Sequence, residues 1–230
     1  MVRRQDPLEP YFKGRQSRQL NRAADISGGL LRPCLFGPAR HWALRAAGWT
    51  VDRTELFDKR RKEMHRYTIA DVNGPLTLTV PVVKPHGVPR ATWADVALSD
   101  HGEWWHVHRT ALESAYGRTP FFEFYIDRFA PFVSREAPEL FPSVAAYVEA
   151  ADRVVADLLL LPDHPSATEA VSSHFEEEPY WQPRQAQLGF LPGLSILDLL
   201  FCLGPEAALY IRSPRETVEP CGAAVFQPPS

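Results

Sequence analysis

The chain has 230 residues, of which 45% are hydrophobic and 23% are charged, proportions that are ordinary for a globular protein. Its formal net charge is -3, so it lacks the basic surplus that is typical of proteins binding nucleic acid. No apolar run approaches the roughly 18 residues that a membrane-spanning helix needs, which excludes membrane insertion through such a helix.

The N-terminal part combines a polar segment with the first predicted elements. Residues 1–28 are basic and carry no hydrophobic pattern, so we expect a disordered tail without the apolar core of a secretory signal. A strand is predicted over 30–36 and a short helix over 37–48, because Pro38 suits a first helical turn and Gly48 suits a helix end. A second strand is predicted over 49–57.

A β-hairpin over 65–83 is the clearest local signal in the chain. Two runs of β-forming residues flank Asn73 and Gly74, a pair that favours a two-residue turn. In the second run the alternation places one set of apolar side chains on a common face: Leu76, Leu78, Val80 and Val82. A short strand is predicted over 93–99.

From residue 100 onward the hydrophobic pattern becomes helical. Helices are predicted over 100–117, 120–135, 140–161 and 194–204, with a connecting loop over 162–179. A short strand is predicted after Gly204, and the segment 213–230 is rich in proline and is expected to be a flexible tail. Strands therefore gather in the first half and helices in the second. This order predicts a mixed α/β (α+β) fold, with a strand-rich N-terminal half containing the Asn-Gly hairpin and a helical C-terminal half packed on the sheet.

The segment "DHGEWWHVHRTALESAYG", residues 100–117, crowds three histidines and two tryptophans into one predicted helix. Asp100 is expected to cap the helix, with Glu103 as its capping-box partner. Trp104 and His108 share one face, which fits either core packing or the wall of a site. On a regular helix the side chains of His106 and His108 point in different directions, so together they cannot hold one metal ion.

Two further segments have both a structural and a functional interpretation. Residues 58–66 carry five lysines and arginines, which form either a solvated surface or a site for a phosphate group. The segment "SSHFEEEPYWQPR" is either a connector or an aromatic platform for a ring. No phosphate-binding glycine loop and no nucleophile elbow are present. Three distant cysteines (Cys34, Cys202 and Cys221) indicate free thiols in a reducing compartment.

Several blocks of the sequence, taken in order, resemble the WbqC-like family. They are "CLFGPARHWALRAAG", "KRRKEMHRYTIADVNGPLTLTVPVV", "SDHGEWWHVHRTALESAYGRTPFFEFYIDRF" and "GFLPGLSILDLLFCLGPEAALYI". The resemblance extends over about residues 30–211 and implies a single WbqC-like domain over 29–212. Relatives carry a Lys-Gln step and an Asn-Arg pair before the hairpin, where this chain has Arg60, Arg61, His65 and Arg66. His65 thus stands in place of an amide.

The resemblance implies a cytoplasmic bacterial protein associated with the assembly of surface polysaccharide of the O-antigen type. It implies a transferase-type enzyme acting on a nucleotide-activated sugar or a related small metabolite. No cofactor and no metal are expected, and the predicted partner is a small-molecule substrate such as a nucleotide sugar. His108 is the predicted catalytic acid or base, with Asp198 orienting it. The predicted substrate-binding residues are His41, Trp42, Arg60, Arg61, His65, Arg66, Trp104 and Tyr116.

Two alternatives remain open at the level of sequence. One is a tailoring enzyme of natural-product chemistry, in which substitutions such as His65 adapt the pocket to another substrate. The other is a module without catalysis that recognises a glycan or a partner enzyme. In that case the tryptophans Trp93, Trp104, Trp105 and Trp181 are expected to form a flat, exposed platform.

Overall fold

The computed structural model of the protein describes residues 29–162 and 177–212. The predicted tails over 1–28 and 213–230, and most of the predicted loop over 162–179, lie outside these residues. Within them the chain forms three two-stranded sheets and a set of helices, so the mixed α+β class is confirmed.

The first sheet is short and parallel. Strand β1 (Leu30–Leu31) pairs with strand β2 (Thr50–Val51), and helix α1 (Ala39–Ala46) crosses between them, as predicted. The predicted strands over 30–36 and 49–57 are therefore too long. Phe36 has a positive φ of 45°, which extended backbone cannot contain, so residues 34–38 form a loop. We call this segment the 34–38 loop.

The hairpin is confirmed, with its turn one residue earlier than predicted. Strands β3 (Arg66–Asp71) and β4 (Gly74–Thr79) are antiparallel, and Asp71 pairs with Gly74, so Val72 and Asn73 form the turn. Gly74 has a φ of 113°, a conformation that glycine accepts more readily than other residues. The third sheet joins β5 (Val82–Val83) to β6 (Ala97–Leu98), which is shorter than the strand predicted over 93–99 because Trp93–Asp95 form a 3₁₀ turn.

Helix α2 (Trp104–Tyr116) begins later than predicted. His101–Glu103 form a 3₁₀ turn, and the capping box expected between Asp100 and Glu103 is wrong, because neither side chain makes a capping hydrogen bond. Gly102 and Glu103 have φ values of 83° and 45°, so the backbone leaves the helical region just before Trp104.

The remaining helices follow in the predicted order, with one correction. They are α3 (Phe122–Phe129), α4 (Ala137–Leu140), α5 (Val144–Leu158), α6 (Gln185–Leu188), α7 (Ile196–Leu203) and α8 (Ala207–Arg212). The strand predicted after Gly204 is wrong, since α8 occupies that place. Its alanines favour a helix, and Ala207, Ala208 and Ile211 are buried where α8 packs against α1.

One hydrophobic cluster joins both halves of the described chain, from Leu35 to Ile211. Helices α2 and α7 cover the β3–β4 hairpin, so the helical half packs on the sheet as predicted. Within the described ranges, no helix combines the length and apolar character needed to cross a bilayer. In the same ranges, no group of three or more His, Cys, Asp or Glu residues is placed to hold a metal ion.

Substituting Gly204 with alanine is expected to destabilise the fold by about 2 kcal/mol or more. Gly204 ends α7 with φ 56° and ψ -127°, a combination that residues with a side chain avoid. A Cβ atom there would also lie 2.4 Å from the Phe121 ring. Chemical denaturation measures the loss. The control is Gly87→Ala, where φ is 70° but no atom lies within 4 Å, so it reports the backbone cost alone. Equal losses in the two variants would show that the Phe121 ring moves aside freely.

Candidate functional site

A cavity of about 250 Å³ opens between the 34–38 loop, the β3–β4 hairpin and the start of α7. We call it the loop–hairpin cavity. Its lining includes the charged side chains of Lys62, Glu63 and Arg66, the ring of Tyr67, and Ser195. This mixture of cations, a hydroxyl group and an aromatic ring is suited to a small polar ligand that carries negative charge.

Backbone hydrogen bonds hold the three walls of the cavity together. The Ser195 amide donates to the Thr68 carbonyl at 2.8 Å, which fixes α7 to β3. The Ile196 amide donates to the carbonyls of Phe36 and Gly37 at 3.3 and 3.1 Å, which fixes α7 to the 34–38 loop. Glycine is also required at position 37 for packing within the loop, because a Cβ atom there would lie 2.5 Å from the Cys34 sulfur.

Ser195 is the least satisfied polar group in this wall. Its side chain is only 4% exposed, and its Oγ has no hydrogen-bond partner among the described residues. A buried hydroxyl without a partner costs free energy, so a ligand that accepts or donates a hydrogen bond here would be stabilised. Ser195 also precedes the first turn of α7, where the helix dipole favours negative charge.

The basic run divides into paired and unpaired cations. Arg61 is buried and forms ion pairs with Glu55 and Glu63, so its charge is already neutralised. Lys62 and Arg66 are exposed, line the cavity, and form no ion pair within the described ranges. Arg60 is exposed and does not line the cavity. Of the three arginines predicted to hold phosphate, Arg66 is the one placed to do so.

His41 lies beneath the 34–38 loop, in contact with a cavity-lining thiol. Its Nδ1 is 3.4 Å from the Cys34 sulfur, and its ring packs edge-on against Trp42. Burial lowers the pKa of His41 to about 3 and raises the pKa of the Cys34 thiol well above its usual value, so both groups are neutral at pH 7. Trp42 is fully buried and donates its indole N–H to the Gly37 carbonyl at 3.1 Å. Trp42 thus supports the loop from below.

His108 reaches the cavity only through Tyr67. Its Nε2 lies 3.1 Å from the Thr79 carbonyl and therefore carries the proton, while its Nδ1 accepts from the Tyr67 hydroxyl at 3.1 Å. Burial lowers the pKa of His108 to about 4, so the ring is neutral near pH 7. Tyr67 lines the cavity, and His108 stands behind it.

Asp198 is the centre of a buried polar network behind the start of α7. Its Oδ2 accepts from the Tyr116 hydroxyl at 2.9 Å, and its Oδ1 accepts from the Tyr180 hydroxyl at 2.6 Å and from Gln182 Nε2 at 3.0 Å. Burial raises the pKa of Asp198, and the three donors oppose that shift. The Tyr116 hydroxyl in turn accepts from the Ala70 amide at 3.0 Å, which links the network to β3.

A sequence model of the WbqC-like protein family matches residues 49–159, a span that runs from just before β2 to just after α5. This span of the chain is WbqC-like. No curated protein and no solved structure matches it. The matched span supplies Lys62, Arg66 and Tyr67 to the cavity, while the 34–38 loop and Ser195 come from outside it.

Two predicted substrate-binding residues lie in other surroundings. His65 donates through Nδ1 to the Val80 carbonyl at 2.8 Å, and burial lowers its pKa. Trp104 donates its indole N–H to the Ser99 carbonyl at 2.8 Å and packs edge-on against His108. Trp104 and Trp93 are 4% and 3% exposed, so the flat platform of exposed tryptophans predicted for a binding module is wrong for these two residues.

The structure thus arranges the predicted residues in layers around one cavity. Arg66 lines it, His41 and His108 each contact a lining residue, and Asp198 with Tyr116 lies one helical turn behind Ser195. Ser195 and the two donors to Asp198, Tyr180 and Gln182, are not among the site residues predicted from the sequence. The block "GFLPGLSILDLL" contained the available signal, since a serine directly before a helix that begins with an acidic turn marks a helix start.

Proposed function

We propose that this WbqC-like protein is a transferase-type enzyme that modifies a nucleotide-activated sugar, or a related small anionic metabolite, in bacterial surface-polysaccharide (O-antigen) biosynthesis. The observation that supports this proposal most strongly is the set of unsatisfied groups in the loop–hairpin cavity. Two unpaired cations, Lys62 and Arg66, line the same cavity as the unpartnered hydroxyl of Ser195.

Each of these groups has a role that follows from its chemistry. The planar guanidinium of Arg66 matches two oxygens of a phosphate, and the ammonium of Lys62 adds a second positive charge. The Ser195 hydroxyl donates a hydrogen bond, and the N-terminus of α7 adds a favourable dipole. At about 250 Å³, the cavity is smaller than the usual pocket for a drug-sized ligand, so it suits one charged fragment such as a sugar phosphate.

The residues behind the cavity orient the groups that line it. Tyr67 contacts the neutral His108, and burial raises the pKa of the phenol, so the hydroxyl stays protonated and this hydrogen bond holds it in place beside the ligand. Asp198 acts as a positioning residue, since it holds the first turn of α7 and with it Ser195.

The expected result of a ligand-binding test is a higher melting temperature with a sugar phosphate or nucleotide sugar. A ligand at 100 times its dissociation constant adds about 2.7 kcal/mol to the free energy of unfolding. Arg66→Ala and Ser195→Ala are each expected to weaken binding by about 10-fold, because each removes a hydrogen bond to a charged group. Thermal melting of the purified full chain against a panel of such ligands measures this.

The matched control for this test is Arg60→Ala. Arg60 is exposed in the same basic run but does not line the cavity, so its loss should leave the ligand-induced shift unchanged. Equal weakening by Arg60→Ala and Arg66→Ala would mean that general charge attraction, and not the cavity, binds the ligand. Mass analysis of the bound ligand after incubation with acceptor mixtures then reports whether a group has been transferred.

A second candidate is a binding module without catalysis. The direction in which burial shifts the pKa values of three buried side chains favours it. Burial lowers the pKa of His41 and His108, which makes them weak bases, and raises the pKa of Cys34, which keeps the thiol protonated and poorly nucleophilic in the free protein. Under this candidate the ligand would raise the melting temperature in the same Arg66-dependent way but would be recovered chemically unchanged with every acceptor tested.

A further inference from the structure

A second concave surface has no lining residue in common with the loop–hairpin cavity. It is a groove of about 600 Å³ between the C-terminal end of α2 and residues 181–184. Its lining includes Glu113, Arg118, Trp181, Pro183 and Arg184. We call it the Trp181 groove. Its volume falls within the range of about 300–1,000 Å³ that is typical of small-molecule sites.

We propose that the Trp181 groove binds a nucleoside diphosphate, with the base on the Trp181 ring and the phosphates on Arg118 and Arg184. The inference rests on the proposed function, because it assigns to this groove the nucleotide half of the activated sugar. The loop–hairpin cavity is then left for the charged fragment that is transferred or modified.

The side chain of Trp181 is exposed because the residues next to it in the chain are anchored in the interior. Its side chain is 52% exposed, although tryptophan is usually well buried. The residues on either side point inward, because the Tyr180 hydroxyl and Gln182 Nε2 both donate to Asp198. Gln182 also exchanges hydrogen bonds with the Leu191 backbone at 2.9 and 3.1 Å. The indole ring is therefore held outward by two buried anchors, which is the arrangement that a stacking platform needs.

The two arginines of the groove have unused donors. Arg118 is exposed and forms no hydrogen bond or ion pair with the part of the chain that the structure describes. Arg184 donates one terminal N–H to the Ser114 carbonyl at 3.4 Å, while its buried Nε has no partner among the described residues. One arm of Arg184 thus fixes the guanidinium, and the group keeps donors that no described residue uses.

The charge balance of the groove favours an anion. Glu113 is the acidic residue of the lining, and Arg109 pairs with it at 2.9 Å from the preceding turn of α2. The C-terminal end of α2 contributes partial negative charge, and the full charges of Arg118 and Arg184 outweigh it. A diphosphate supplies the oxygens for both guanidinium groups, and the base supplies the flat face for the indole.

Isothermal titration of the full chain with UDP, CDP, GDP, ADP, dTDP and inorganic pyrophosphate tests the proposal. At least one nucleoside diphosphate is expected to bind, about 10-fold or more weaker to Trp181→Ala, with Trp181→Phe restoring most of the affinity. Arg118→Ala and Arg184→Ala are expected to weaken both this nucleotide and pyrophosphate, whereas Trp181→Ala should leave pyrophosphate binding unchanged. Arg153→Ala, an exposed arginine on α5, is the matched control.

The outcomes separate this inference from the function on which it rests. Nucleotide binding that is lost in Arg66→Ala but kept in all three groove variants would place the nucleotide in the loop–hairpin cavity and overturn the inference alone. Absence of binding by every nucleotide would also overturn it, while a sugar phosphate that still raises the melting temperature through Arg66 would keep the proposed function. Failure of both assays would overturn both.

Discussion

Asp198→Ala is expected to lower the free energy of unfolding by about 3–5 kcal/mol, a large share of the 5–15 kcal/mol that is typical of a folded protein. The substitution leaves the buried hydroxyls of Tyr116 and Tyr180 and the amide of Gln182 without their common acceptor. Each unsatisfied buried donor costs on the order of 1–3 kcal/mol. Urea denaturation of the variant and of the wild type measures the difference.

The controls for this prediction separate the network from the loss of one carboxylate. Asp157→Ala removes an exposed carboxylate on α5 that pairs with Arg128, and we expect it to cost less than about 1 kcal/mol. Tyr116→Phe and Tyr180→Phe each remove one donor, and each is expected to cost about 1–2 kcal/mol. If Asp198→Ala proved as mild as Asp157→Ala, the three donors would have to find other partners in the fold.

Acidification from pH 7 to 4.5 is expected to destabilise the protein by about 3 kcal/mol. The pKa values of His41 and His108 fall from 6.5 to about 3 and about 4 on folding, so the unfolded chain binds their protons first. Their stabilising contribution is complete above pH 6.5 and is lost as the pH falls towards the folded values, together about 5 kcal/mol by pH 4.5. The pKa of Asp152, raised by burial to about 6, acts in the opposite direction and returns about 2 kcal/mol.

Unfolding free energies at several pH values between 7 and 4.5 test this assignment. His108→Gln is expected to make the dependence shallower by about 2–3 kcal/mol over the range, whatever its effect at pH 7, because one titrating group is gone. His106→Gln is the matched control, since His106 is exposed on the same helix. A pH dependence that is the same in both variants would show that His108 is protonated in the folded protein as easily as in the unfolded chain.

Local patterns explain which elements of the fold could be predicted. The hairpin, α1, α5 and α7 each carry their signal within one short stretch, such as the Ser143 cap that accepts from the Ala146 amide at 3.2 Å. The start of α2 could not be predicted in this way. Asp100 and Glu103 have the spacing of a capping box, but the positive φ of Glu103 depends on how the preceding turn packs. The strand prediction after Gly204 fails because the helix there is stabilised by its packing against α1, a tertiary contact that the local sequence does not reveal.

The sequence could predict which charged residues lie at the candidate site, but not which of them form ion pairs or hydrogen bonds with one another. The basic run identified Arg66, but it could not show that Glu55 and Glu63 neutralise Arg61, because these partners depend on the course of the backbone between them. Ser195 carries no local pattern that distinguishes an unpartnered hydroxyl from an ordinary helix cap. The partners of Asp198 lie 18, 16 and 82 positions away, a range over which periodicity gives no information.

The hydrogen bonds to Asp198 also determine how much of the chain a recombinant fragment must contain in order to fold. The match to the family model ends at residue 159, whereas the acceptor for the Tyr116 hydroxyl lies at position 198. A polypeptide trimmed to residues 49–159 would lose Trp42 and Phe201, which are both fully buried, and would expose the core side chains that they cover. The segment that matches the family model is therefore shorter than the segment that folds as a unit. A recombinant fragment should contain the whole folding unit.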